Sequence, residues 1–380
     1  MKNPANEQKI ALAAFSAARE LYQKRQFAEA QGRMGEYQRL IGHRRFPMTD
    51  QRQEQKPSCS IIIVIYNTSA DVLACIDRLL SQAIGEKAEI IVVDNGGNEA
   101  LHEKLLARPV LHIRCPYNFL PSEGRNIGAF FAKAPRLLFV DDDGLPEEGY
   151  IAQAIKALVR PDTIGVRGRI VPLNPGGRAG PHYDLGNEVK ENASFNLEGN
   201  MAIKHSVFKA AGGFDPLMFG HEGHELAERC QRTTPNGKIR YWPALVLKHD
   251  FADGKQLASK RQRQALGEAY RAWLSKTSTL GAVSPPSVLQ KGITLVLRIG
   301  PTTELPALQA YLENLTAQNG QFRKEVLLLL DKATGVSREQ LMEIVRKFAG
   351  RLTCVVIPGG YWQKSVLASR ARYSFLLLAD

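Results

Sequence analysis

RLLFVDDDGLP, residues 136–146, is an apolar strand that runs straight into three adjacent carboxylates and a turn. Three like charges side by side repel, and each pKa rises unless a cation is present. A divalent ion resolves the conflict, because hard carboxylate oxygens suit Mg²⁺ or Mn²⁺. Taken alone, the stretch also reads as a solvated acidic turn closing a strand. What surrounds it decides between the two.

Working outward, short β-branched runs recur upstream: SIIIVIYN at 60–67, EIIVVDN at 89–95 and VLHIRC at 110–115. Runs of this kind suit strands covered on both faces. Between them the apolar spacing turns helical, over 70–82, 99–107 and 123–132. Strands alternating with helices give an α/β fold built on a parallel sheet. Ligands of such sheets sit at the carboxyl ends of the strands, where Asp94 and Asp141 to Asp143 fall.

The flanks are different. Residues 1–45 carry apolar positions at three- and four-residue spacing, broken near Arg25 and Gln26, which predicts a helical hairpin similar to one tetratricopeptide unit. Residues 46–58, FPMTDQRQEQKPS, are polar with a proline near each end and read as a linker. Beyond the basic helix 260–276, the last ninety or so residues repeat the plan of the first half. ITLVLRIG at 293–300 mirrors SIIIVIYN, and EVLLLLDKATG at 325–335 mirrors EIIVVDNGG, placing Asp331 beside Asp94. Asp380 then aligns with Asp141, so residues 290–380 read as the N-terminal half of a second copy, and the chain as a fragment of a longer protein or as one carrying a half-domain cap.

Composition sets the outer limits. The chain has 380 residues, more than one typical domain of about 100–200. Lys and Arg number 50 against 38 Asp and Glu, for a net charge of +12, which favours anionic partners. The five cysteines are far apart, with no CxxC pair, which suits reduced cytosolic thiols better than disulfides or zinc. The N-terminus lacks the layout of a secretory signal, and no apolar run reaches membrane-spanning length.

Several motifs, in this order, resemble family 2 of the glycosyltransferases over about 59–280: VIYN with Tyr66 and Asn67, VVDN with Asp94, GRN with Arg125 and Asn126, VDDDGLP from Asp141 to Pro146, GNM with Asn200, GGFDP, HEGHELAER, and VLKHD with His249. The resemblance implies a GT-A domain, Rossmann-like, that takes a sugar from a nucleoside-diphosphate donor. It places Tyr66, Asn67, Asp94, Arg125, Asn126, Asp141, Asp142 and Asn200 on the donor side. It assigns a Mn²⁺ or Mg²⁺ ion to Asp143 and His249, with Asp141 beside it.

The acceptor motif departs from the family. Gly223 stands where an aspartate is usual, and in inverting members that aspartate takes the proton from the acceptor hydroxyl. Glu222, Glu225 and His224 remain as candidate bases. By resemblance the reaction is inverting, the donor a UDP-sugar, and the acceptor a glycan or lipid-linked glycan. The setting it implies is bacterial surface-glycan synthesis on the cytoplasmic side, at or near the membrane's inner face. Peripheral membrane association and self-association stay open. A donor-binding pseudoenzyme or scaffold, favoured by Gly223, is the rival. A nucleic-acid binder explains the charge but not the ordered carboxylates.

Overall fold

The computed structural model describes residues 4–40, 46–54, 56–66, 72–96, 99–174, 177, 180–249, 254–278, 290–317, 323–330, 335–348, 353–358 and 373–379. Two compact units emerge. The first comprises Met1–Ser16 with Tyr37–Ala269, and the second Ala17–Glu36 with Tyr270–Asp380. These boundaries cut across the expected ones, because contacts divide the hairpin helices α1 (Pro4–Gln23) and α2 (Phe27–Leu40) between the units.

In the first unit, β2 (Cys59–Ile65), β3 (Ala88–Asp94), β4 (Leu111–Arg114) and β5 (Arg136–Asp141) form the parallel core of a nine-stranded sheet. β2 pairs with β3 on one side and β5 on the other, with Ile65 opposite Asp94 and Val64 opposite Asp141. The chain thus leaves β2 in opposite directions, and a crevice opens at the carboxyl ends of these strands. Six of the seven β2 residues are buried, which is why the run carries no polar alternation. Helix α3 (Val72–Ala83) buries Val72, Cys75, Ile76, Leu79 and Ala83, a stripe at helical spacing against the same core.

Past Asp141 the sheet changes sense. β8 (Asn200–Lys204) runs antiparallel to both β5 and β7 (Thr163–Pro172), and β9 (Lys238–His249) runs parallel to β7. The two-residue β6 (Leu145–Pro146) closes that edge. At the other edge β1 (Met48–Asp50) pairs antiparallel with β4, so part of the expected linker is a strand. Its polar character hides a buried role: Arg52, its side chain 5% exposed, is ion-paired with Asp50 and with the buried Glu89. Phe15 and Tyr37 pack edge-on and tilted against Phe119, and the Tyr37 hydroxyl donates to Glu123 at 2.8 Å.

The second unit carries a four-stranded sheet in the order β12 (Thr353–Pro358), β11 (Arg323–Leu330), β10 (Gln290–Ile299), β13 (Tyr373–Ala379), every pair parallel. That order is the same as β4-β3-β2-β5 in the first sheet. Helices α10 (Leu305–Ala317) and α11 (Arg338–Lys347) bury Leu308, Leu312, Leu341 and Ile344 in its apolar cluster. Tyr22 and Phe27 pack on Tyr270, which accepts a hydrogen bond from the Gln31 amide. Asp331 and Asp380 lie outside the described residues.

Candidate active site

The carboxyl end of β5 and the end of β9 bring Asp141, Asp143 and His249 together. Each offers one ligand atom, and the three atoms lie within 4.8 Å of one another. Two carboxylates and an imidazole are a donor set that Mn²⁺ or Mg²⁺ fits. His249 Nε2 is 3.0 Å from Asp143 Oδ1. Burial pushes the Asp143 carboxyl up, but the hydrogen bond and positive charge of His249 outweigh it and hold the pKa below the usual value. Asp142 behaves oppositely: burial, then the negative charges of Asp143 and Asp141, push its pKa up to about 7.

Arg125 reaches the same place from helix α5 (Leu120–Phe130). Its guanidinium donates to Asp141 Oδ1 at 3.1 Å and to Glu222 Oε1 at 3.5 Å, with Phe214 below it. Glu222 opens helix α8 (Glu222–Thr233), after a turn in which Gly220 and His221 both have positive φ, 101° and 67°. The Gly220 amide donates to Glu222 Oε2 at 2.7 Å. A left-handed histidine is costly, and here the turn fixes the glutamate beside Arg125.

Asp141, Glu222 and His249 face a cavity of about 410 Å³ whose walls also include Glu198, Lys260 and Arg263. The floor depends on close backbone approach. A Cβ on Gly199 would fall 1.8 Å from the Asp141 carboxylate. One on Gly223 would fall 1.6 Å from the Phe195 carbonyl oxygen and 2.7 Å from Glu198 Oε1. No side chain fits at 223 in this arrangement.

Residues 60–217 match the family model described as glycosyl transferase family 2. This stretch is a family 2 glycosyltransferase domain. Its α/β sheet is the GT-A fold the sequence resemblance implied. Among curated proteins, an uncharacterised glycosyltransferase of Haemophilus influenzae is 38% identical over 92 residues, 23% of this chain and 31% of that protein. Glycosyltransferase AglE of Haloferax volcanii is 24% identical over 183 residues, 44% of this chain and 60% of that protein. The chain therefore spans less than two thirds of the length of either relative. Similar solved structures include GalNAc-T7 with UDP, GalNAc and Mn²⁺, at 17% identity and a TM-score of 0.43 over 67% of this chain and 64% of that one. Another is residues 1–349 of Staphylococcus aureus TarS with UDP-GlcNAc, at 15% identity and 0.43 over 53% and 61%.

Within the glycosyltransferase domain the expected site residues separate into groups. Asp141, Asp143, His249, Arg125 and Glu222 converge, with Asp142 beside them. Asp94, buried at the end of β3, has His112 Nε2 at 3.8 Å from its carboxylate, and Tyr66 is 52% exposed at the end of β2. Asn67 lies outside the described residues. Asn126 is turned to the scaffold, exchanging hydrogen bonds with the Phe214 backbone. Asn200 is fully buried, bonded to the Tyr150 hydroxyl and to the Arg169 and Leu245 carbonyls. Glu225 is engaged through both carboxylate oxygens by Arg229, away from the cavity wall.

Sequence reasoning missed Glu198, one residue before the GNM segment it had singled out. Glu198 Oε1 accepts from the Gly223 amide at 2.7 Å. Burial, then the charge of Glu222, push its pKa up to about 8. The signal available was the gap itself: a glycine where a carboxylate is expected invites a search for another acid nearby. Helix α9 (Gly254–Ser278) contains the basic stretch 260–276, and its Lys260 and Arg263 line the cavity.

Proposed function

We propose that this domain transfers a sugar from a nucleoside-diphosphate donor, a UDP-sugar, to a hydroxyl acceptor with inversion, dependent on Mn²⁺ or Mg²⁺. The observation that carries the reading is the meeting of Asp141, Asp143 and His249 within 4.8 Å, beside Arg125 and a carboxylate-lined cavity. A divalent cation on those three residues would supply charge neutralisation for a departing diphosphate.

The chain's own residues do the rest. Asp94 and Tyr66, at the ends of neighbouring strands, accept and flank the nucleoside, with Asp141 toward the ribose or the water around the metal. Arg125 holds Asp141 in place and presents a fixed positive charge to the phosphates, and Lys260 and Arg263 add cationic donors to the cavity wall. A wall carboxylate takes the acceptor proton; Glu222 and Glu198 are the acids placed to do so. The acceptor is a glycan or lipid-linked glycan, used on the cytosolic side in bacterial surface-glycan assembly. No helix among the described residues is long and apolar enough to cross a membrane.

The test is thermal stabilisation of the purified chain by UDP, GDP and TDP, each with and without Mn²⁺. Saturation at about a hundredfold excess over the dissociation constant adds roughly 2.7 kcal/mol. A Mn²⁺-dependent shift with UDP supports the reading. Absence of a shift with every nucleotide refutes it.

A further inference from the structure

We propose that Glu198 is the general base, and that it supplies the carboxylate that residue 223 cannot. The inference rests on the glycosyl-transfer reading above and adds the residue that removes the acceptor proton.

Three glutamates surround Gly223, and their partners differ. Glu225 is paired through both oxygens with Arg229, a buried contact whose guanidinium also donates to the Ala211 and Gly213 carbonyls. Glu222 has one oxygen toward Arg125 and the other on the Gly220 amide. Glu198 accepts from backbone amides, that of Gly223 to Oε1 at 2.7 Å and its own; among the described residues no cationic side chain is bonded to it. A proton acceptor is weakened by a cation bonded to it. Glu222 and Glu225 each carry a guanidinium, whereas Glu198 is held by backbone amides and lines the cavity.

Position agrees with chemistry. Glu198 Oε1 lies 2.7 Å from where a Cβ on residue 223 would stand, so its carboxylate occupies the space a side chain from 223 would enter. The Phe195 carbonyl blocks that route at 1.6 Å. Loop 195–198 therefore delivers the acid from the opposite wall, and the glycine makes room for it. The charges facing Glu198 are Glu222, which strengthens its hold on a proton, and Arg125, which weakens it. His221, His224, Lys260 and Arg263 line the same cavity.

In the step, the acceptor oxygen forms its bond to the sugar's anomeric carbon as its proton passes to Glu198 Oε2. The anomeric carbon–oxygen bond to the diphosphate breaks, and its electron pair leaves with the nucleoside diphosphate. The neutral Glu198 carboxyl then releases the proton to solvent. Glu222 is a positioning residue in this scheme, acting through Arg125.

The experiment uses the full chain, Mn²⁺ and a panel of UDP-glucose, UDP-galactose and UDP-GlcNAc, with water as acceptor and UDP release as the readout. Glu198→Gln keeps an acceptor for the Gly223 amide. It is expected to lower kcat by about 10²–10⁴-fold while the UDP–Mn²⁺ thermal shift stays unchanged. It should also abolish the rise of kcat/KM with pH. In Glu198→Ala, azide should restore turnover as an inverted glycosyl azide, because azide attacks without giving up a proton. Glu222→Gln should chiefly raise KM. Wild-type kcat in Glu198→Gln, or a kcat collapse confined to Glu222→Gln, overturns the assignment and leaves the transfer reading standing. No nucleotide shift and no UDP release in the wild-type chain overturns both.

Discussion

The two sheets of this molecule share one strand order and differ in what is buried at it. In β4-β3-β2-β5 the strand ends carry Asp94 and Asp141, and the surrounding unit buries Arg125, Glu222, Glu225 and Arg229. In β12-β11-β10-β13 every described buried side chain is apolar, from Leu295 to Phe348. Where Val64 faces Asp141 across the first sheet, Leu297 faces Ala379 in the second. Burying charge is expensive unless it is paired, so a protein retains it where it is used. The scaffold is thus indifferent to chemistry. What the described residues distinguish is the charge buried around each sheet.

That contrast can be broken experimentally, beginning where the effect is greatest. Asp143→Ala should cut UDP release by about a thousandfold, the scale of several kcal/mol of charge stabilisation, and abolish the Mn²⁺-dependent UDP shift. Arg298→Ala, on the exposed face of β10, should leave both readouts unchanged; a matching loss there would erase the asymmetry. Next, Arg229→Ala strands the buried Glu225 carboxylate and should cost about 3–5 kcal/mol in urea unfolding of the first unit. Leu312→Ala removes a fully buried side chain from the second core and should cost about 3 kcal/mol. With the first site intact, its UDP shift should persist.

The smallest effect is a pH slope. Glu198 holds its proton more tightly in the fold than an ordinary glutamate, with a pKa raised from 4.5 to about 8. Its stabilisation is complete below about pH 4.5 and is lost as pH rises through 8, at up to about 1.4 kcal/mol per pH unit. Asp142, raised to about 7, contributes with the same sign. The prediction is therefore a difference: metal-free Glu198→Gln should lose stability less steeply than wild type between pH 5 and 8, as read by urea midpoints. Parallel slopes would show that Glu198 is not perturbed.

How much of this was legible beforehand varied along the chain. The parallel half was readable because β2 and β3 are buried on both faces and write themselves as unbroken apolar runs. The mixed half was not. β7 and β9 bury Arg167 and Arg240 inside the strands, where Asn196 and the His182 carbonyl satisfy the first and Asp162 and Glu191 the second. Charged residues that find partners only in three dimensions break any hydrophobic pattern. The residues that meet at the end of β5, Asp141, Asp143 and His249, were legible from the order of motifs. The Glu198 position was not, since it follows from the Phe195 carbonyl meeting the backbone of Gly223, a contact 28 positions apart in the chain.

The three-residue strand β1 has a consequence for colloidal behaviour. β4 is the last parallel strand on its side, and without cover its outer N–H and C=O groups would form an open template for other chains. Thr49 and its neighbours fill that row, helped by the Gln51 amide on the Val110 carbonyl and the Arg114 amide on the Pro47 carbonyl. Being short and followed by charged residues, β1 presents little edge of its own. A stretch that reads as spacer therefore acts as a selvedge, and a chain cut back past it would be prone to stick to its own copies.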